Sequence, residues 1–284
     1  MTKKRKTGFF GFVGRILLDM IKIPYYILRT VYRVIVSAII KLSSIIREAR
    51  KAEKEEKIEE QREKMKAQYS AFIVVQKDKG DLDKWESNFY SSDNKIGIIL
   101  GARGSGKTAL GIKLLENTHT KNKKKCYAIG FEESEMPDWI DVVDSISQIE
   151  NDSVVLIDEG GVLFSSRKAM TNINKMLSDL ILISRHKNII ILFISQNSSN
   201  LDVNIIRQAD FLVLKSSSLL QKDFERKIIG KLYDSLSNGF KKYQDTQGLT
   251  YIYSDDFRGF VTNPLPSFWK SSISKSFRKN KPKN

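Results

Sequence analysis

The chain is expected to fold as an α/β domain, with a central, mainly parallel sheet covered by helices and an amphipathic helical segment in front of it. Three observations predict this. Residues 101–108 read Gly-Ala-Arg-Gly-Ser-Gly-Lys-Thr, a glycine-rich turn between an apolar run and a helix-like stretch. Five short runs rich in Ile, Leu and Val alternate with helical patterns after residue 92. Residues 8–46 are strongly apolar, with charges recurring at close to whole helical turns.

At 284 residues the chain has room for one ordinary α/β domain and an accessory segment. Cys126 is the only cysteine, so no internal disulfide forms and a reducing compartment is expected. With only His119 and His186 beside it, a structural zinc site is not expected. The net charge of +15 addresses an anionic partner, and its distribution says which part of the chain does so. Residues 1–68 carry 17 Lys/Arg against 8 Asp/Glu, residues 267–284 carry 6 against none, and the stretch between is neutral. The ends carry the charge.

Residues 1–47 form the first segment. After the basic start at Lys3–Lys6, the apolar run is interrupted by Arg15, Asp19, Lys22, Arg29, Arg33 and Lys41. Their spacing places them on one narrow stripe, with Tyr26, Ser37 and Ser44 in its gaps. A simple transmembrane helix is disfavoured, because no uncharged run approaches the roughly 18 residues a span needs and an Arg at mid-span costs about 2.5–3.5 kcal/mol. Two readings remain: a cationic helix lying among anionic lipid headgroups on the cytoplasmic side of a membrane, or an amphipathic helix packed on the rest of the chain or a partner. Pro24 is expected to divide this segment into two helices.

Residues 48–68 balance seven basic against seven acidic side chains without Gly or Pro. They read as a solvated helix, either a stiff spacer or a plain insertion, with Glu53–Lys57 and Glu60–Lys64 in the favourable i, i+4 order.

Residues 69–262 hold the chemistry. The turn after Ile96–Leu100 matches GxxxxGK[ST] in full: Gly101, Gly104, Ser105 and Gly106 let backbone N–H groups surround phosphate oxygens, Lys107 reaches the β and γ phosphates, and the Thr108 hydroxyl binds Mg²⁺. The run Ser153–Ile157 ends in Asp158-Glu159. Asp158 suits the same Mg²⁺, and Glu159 suits polarising the water that attacks the γ phosphate. One strand-like run, Cys126–Phe131, separates the two elements, which together with the adjacent acid points to the RecA-like type of P-loop ATPase. The absence of an [NT]KxD guanine-reading motif favours ATP. Ile189–Ile194 ends in Ser195-Gln196-Asn197, where Gln196 either hydrogen-bonds the attacking water and the γ phosphate or simply ends a strand. Arg185 either reaches a neighbouring subunit's nucleotide or caps the preceding helix, Leu177–Ser184. The last run is Phe211–Leu214, with Thr250–Tyr253 a further short candidate.

This order of motifs, with Arg185-His186, the strand ending at Gln196 and the stretch Leu201–Asp210, resembles the FtsK-HerA superfamily of DNA-pumping ATPases. Within it, the block from Arg185-His186 to Gln196 and the stretch Leu201–Asp210 are similar to the zonula occludens toxin-like and viral packaging ATPase branch. The resemblance covers about residues 95–215. It implies a homo-oligomeric ring, usually a hexamer, that translocates double-stranded DNA or extrudes virions at a membrane, or serves in the virion. It also implies phosphate, metal, base, sensor and finger roles for Lys107 and Thr108, Asp158, Glu159, Gln196 and Arg185. Filamentous-phage members begin with the ATPase and place a membrane span after it. Here the apolar segment comes first, so genome packaging or DNA transfer stands beside virion extrusion, and a nucleotide-gated membrane scaffold is a third reading.

Residues 263–284 begin Asn-Pro-Leu-Pro-Ser-Phe-Trp, an extended strap expected to dock through Phe268 and Trp269. The acid-free tail after Lys270 is either a phosphate-contacting or a solubilising segment.

Overall fold

In the computed structural model, which describes residues 9–63, 65–160 and 169–274, the chain divides into two units, one up to Glu59 and the other from Glu60. The first lies in helix α1 (Phe9–Glu63). The expected break at Pro24 does not occur, and the expected spacer is the C-terminal part of this same helix, ending at Glu63 instead of residue 68. Proline removes one backbone hydrogen bond and crowds the carbonyl four residues back, at about 3 kcal/mol. Helix flanks Pro24 on both sides within a 55-residue element, and the single lost bond does not end it. Lys57 pairs with Glu53 at 2.6 Å as the spacing predicts, while Lys64, the expected partner of Glu60, lies outside the described residues. Within this helix Leu28, Val31, Tyr32, Ile35, Ile39 and Leu42 are exposed at three- and four-residue intervals. Arg29, Arg33 and Lys41 of the charged stripe are exposed as well; its members at 15, 19, 22 and 26 lie outside the described side chains. Among the described residues no helix is long and apolar enough to cross a membrane.

The second unit runs β1 (Ile73–Gly80), α2 (Leu82–Ser91), β2 (Lys95–Leu100), α3 (Lys107–Asn122), β3 (Lys125–Ile129), β4 (Ile140–Val142), β5 (Ser153–Asp158), α4 (Ala169–Lys187), β6 (Ile190–Ser195), α5 (Val203–Gln208), β7 (Phe211–Leu214), α6 (Leu219–Asp223), α7 (Lys227–Lys242), β8 (Leu249–Ser254) and β9 (Phe257–Thr262). These strands form one sheet in the order β1-β9-β8-β7-β2-β6-β5-β3-β4. Strands β4, β3, β5, β6, β2 and β7 are parallel, and β8, β9 and β1 extend the sheet antiparallel from β7. The architecture is α/β with a mostly parallel sheet.

Alternation along the strands sorts the core. Val155 and Ile157 of β5 face α4, α5 and α7 through Leu177, Leu180, Ile205, Ile229 and Tyr233. Val154 and Leu156 face α2 and α3 through Trp85, Phe89, Leu110 and Leu114. Strands buried on both faces read as continuous apolar runs, which is why the sequence shows them so plainly. Gly97 in β2 leaves room for the Phe211 ring, which would lie 2.3 Å from any Cβ there and packs edge-on against Trp85.

The strand between the phosphate loop and Asp158 in sequence, β3, lies beyond β5. The strand between β2 and β5 in space is β6, because parallel neighbours are joined by crossovers that need not return to the adjacent position.

Both ends of this unit are tied to α3. Lys113 and Glu116 form a buried ion pair at 2.8 Å. Lys113 Nζ donates to the Gln68 carbonyl, Gln68 N donates to Glu116, and Ser267 N donates to Glu116 as well. Asn117 exchanges hydrogen bonds with the backbone of Ser70. The strap buries Phe268 and Ile273, with Phe268 edge-on to Trp139 and Trp269 partly buried beside them. Its continuation after residue 274 lies outside the described residues.

Candidate functional site

Parallel strands point their C-terminal ends to one edge of the sheet, and the predicted site residues follow those ends. Gly101–Gly106 leaves β2 and becomes the N-terminus of α3, with Gly106 at its N-cap at φ 91°. Gly104, at φ 78°, and Gly106 have no atom within 4 Å of where a Cβ would sit. Their glycine identity is therefore favoured by the left-handed backbone conformation and not by crowding, since the space in front of the loop is open. Such a cradle of backbone N–H groups at a helix N-terminus fits phosphate oxygens.

Lys107 is buried, and its Nζ donates to the carbonyls of Gly101 at 2.8 Å and Ala102 at 2.9 Å. Burial lowers its pKa, against the opposing charges of Asp158 and Glu159. Thr108 Oγ1 donates to Asp158 Oδ2 at 3.1 Å, and Gly160 N donates to Asp158 Oδ1 at 3.0 Å. A hydroxyl and a carboxylate held this close are hard oxygen donors that fit Mg²⁺, which takes one or two protein oxygens and completes its shell from phosphate and water.

Burial raises the Asp158 pKa to about 6, with Thr108, Gly160 and Lys107 acting in the other direction. A folded-state value above the ordinary 3.8 or so means the folded form holds the proton more tightly between about pH 4 and 6. The ionised carboxylate thus destabilises the metal-free protein above pH 6 and not below pH 4. Asp158→Asn is expected to stabilise metal-free protein by about 2–3 kcal/mol at pH 7.5 and by nearly nothing at pH 4. Thermal melts in chelator at the two pH values check this.

Glu159 is buried and follows β5 directly. Its carboxylate accepts from Asn200 Nδ2 at 2.7 Å, from the Gln196 backbone N at 3.2 Å and from Ser195 Oγ. Gln196 therefore stands beside the acid, at the tip of the strand next to the loop, with its own side chain exposed. Ser195 and Asn200 were not assigned from sequence. The signal was there in the polar run Ser195–Asn200 between an apolar strand and a short helix, whose residues look interchangeable until the strand order is known. The same loop is held from the other side, where Ser198 N donates to Glu225 at 2.7 Å and Arg226 Nε donates to the Ser198 carbonyl at 3.0 Å.

Arg185 lies elsewhere. It is exposed in the last turn of α4 and lines a cleft with Lys95, Arg207 and Asp210 at the N-terminal ends of β2 and β7. The six residues of β2, at about 3.3 Å each, put close to 20 Å of sheet between that edge and the loop. Arg185 does not join its own chain's site.

No protein-family model and no curated protein sequence matches the chain. Among solved structures it is similar to the genome-packaging NTPase B204 of Sulfolobus turreted icosahedral virus 2 bound to AMP, at 16% identity and a TM-score of 0.42, over 61% of this chain and 99% of that one. The B204 DNA-packaging ATPase of Sulfolobus turreted icosahedral virus gives 18% and 0.39 over 61% and 98%. A further solved ATPase domain, from a different protein, gives 14% and 0.38 over 60% and 80%.

Proposed function

We propose that the chain is a magnesium-dependent ATPase of the RecA-like P-loop type that moves double-stranded DNA, for genome packaging or DNA transfer, as a homo-oligomer at a membrane. The observation that carries this reading is the contact between Thr108 and Asp158. It gathers Lys107, Thr108, Asp158 and Glu159 at one sheet edge, in front of an open glycine cradle.

In this reading the loop amides and Lys107 hold the β and γ phosphates, and Thr108 and Asp158 hold Mg²⁺, which when bound offsets phosphate charge. Water attacks the γ phosphorus, the bond to the β–γ bridging oxygen breaks, and Glu159 takes the water's proton. Gln196, joined to Glu159 through its backbone, reports the state of the γ phosphate. Because its loop is also bonded to Glu225 and Arg226, that report has a physical route to α6 and α7. Arg185, on the far edge, serves only a neighbouring subunit. The exposed apolar residues of α1 support a membrane surface as the place of work.

Phosphate release measured with and without double-stranded DNA, at two salt concentrations, tests the DNA part. The rate is expected to rise several-fold with DNA at low salt and to lose that stimulation at high salt, as phosphate contacts are screened. A rate indifferent to DNA at both salts leaves an ATPase and removes DNA as its substrate.

A further inference from the structure

Beside the phosphate loop lies a cavity of about 730 Å³, most of whose lining lies outside the residues assigned to hydrolysis. One wall is Gly104, Ser105 and Gly106 of the loop itself. The opposite wall comes from the antiparallel extension of the sheet. Ile73 at the start of β1 pairs with Thr262 at the end of β9, which pairs with Leu249 at the start of β8. Three strand ends therefore meet at the same edge as the loop, and the strap leaves β9 from there through Asn263, Pro264 and Leu265. Ile73, 65% exposed, and Leu265, 49% exposed, are two large apolar side chains turned to solvent on this wall.

Lys215, Gly248 and Asn263 also line the cavity. Lys215 Nζ, itself buried, donates to the carbonyls of Gly248 and Leu249 and to Asn263 Oδ1 at 3.0–3.2 Å. Lys215 is also held to the loop's root, since its backbone N donates to the Leu100 carbonyl and its Cβ would meet any Cβ on Gly101 at 2.6 Å. Ser105 Oγ is buried with no hydrogen-bond partner among the described residues. A space of this size, lined by both apolar and polar groups and sharing a wall with a phosphate cradle, has the character of a small-molecule subsite.

We infer that this cavity is the nucleoside subsite, in which the base and ribose of the triphosphate lie against Ile73 and Leu265 while the phosphates occupy the adjoining loop. The inference rests on the phosphate-loop reading above and adds to it the recognition of the nucleoside. It also gives the antiparallel strands and the strap a role: they build the wall that the parallel sheet alone lacks. The strap continues from Leu265 to Ser267, which bonds to Glu116 on α3, so the same segment touches both the nucleoside wall and the helix that begins at the phosphates.

The test compares two probes by calorimetric titration with magnesium, a non-hydrolysable ATP analogue and inorganic tripolyphosphate, on the full chain and on the double variant Ile73→Ser, Leu265→Ser. Both positions are exposed, and retained tripolyphosphate binding reports an intact fold. The wild type is expected to bind the analogue at least tenfold more tightly than tripolyphosphate. The variant is expected to lose most of that advantage while binding tripolyphosphate unchanged. An undiminished preference in the variant overturns the subsite, and so does an equal loss for both probes, which would assign these residues to the loop's conformation. If the wild type binds neither probe, the phosphate-loop reading fails first and the inference goes with it.

Discussion

Glu159→Gln is expected to leave binding of magnesium and ATP intact and to lower turnover about 10²–10⁴-fold, the usual contribution of a positioned general base. The amide keeps the side chain's length and an oxygen for Asn200 to donate to, so the fold and the cradle persist while the proton acceptor is lost. The measurement is steady-state phosphate release beside nucleotide affinity on the same preparation. Turnover within threefold of the wild type would remove Glu159 from the chemistry. A joint collapse of affinity and turnover would mean that the carboxylate serves mainly to hold the loop Ser195–Asn200.

Glu116→Ala is expected to cost about 3–5 kcal/mol, the penalty for leaving one member of a buried ion pair without its partner. Lys113 and Glu116 are almost fully buried, at 1% and 0% side-chain exposure. Glu116 also accepts from the backbone N–H groups of Gln68 and Ser267, so its loss orphans donors at both ends of the unit. For a unit of this size each kcal/mol moves the melting temperature by roughly 2–4 °C, and thermal denaturation should show a drop on the order of 10 °C. Replacing both partners, Lys113→Met with Glu116→Leu, should recover part of the loss, because no charge is then left buried. A single variant that melts with the wild type would show that the pair contributes nothing net. Glu116 lies nine residues along α3 from Lys107, about 13–14 Å by helical rise. The same rigid helix therefore joins the phosphate loop to the segments that follow α1 and β9.

What was legible in the sequence follows from burial. Strands β2, β3, β5, β6 and β7 are covered on both faces and appear as unbroken apolar runs, and the loop and the acid pair sit at their ends, so the core of the site could be read directly. Strand β1 escaped notice because Gln76, Lys77, Asp78 and Lys79 make an edge strand look like a polar loop. Strand β9 was obscured by Arg258 and Gly259, the latter present because a Cβ there would lie 2.4 Å from the Gln76 carbonyl. Three-residue β4 is too short to show a period. The residues around Glu159 were partly hidden for a different reason. That Asn200 reaches Glu159 depends on β6 lying between β2 and β5, and spatial order is a property of the whole sheet that no local pattern encodes. The antiparallel wall beside the loop was hidden with the strands that build it. Pro24 marks the opposite case, a strong local signal overridden by the helix on either side of it.

In the proposed mechanism Asp158 and Thr108 meet at one magnesium-bound triphosphate held by the glycine loop, and everything else depends on that meeting. It is tested most directly by titrating a non-hydrolysable ATP analogue into the wild type and into Asp158→Asn, each with magnesium and with chelator. Magnesium is expected to tighten binding at least tenfold in the wild type and by much less in the variant. Equal affinities with and without magnesium in the wild type, or an undiminished magnesium effect in Asp158→Asn, would contradict it.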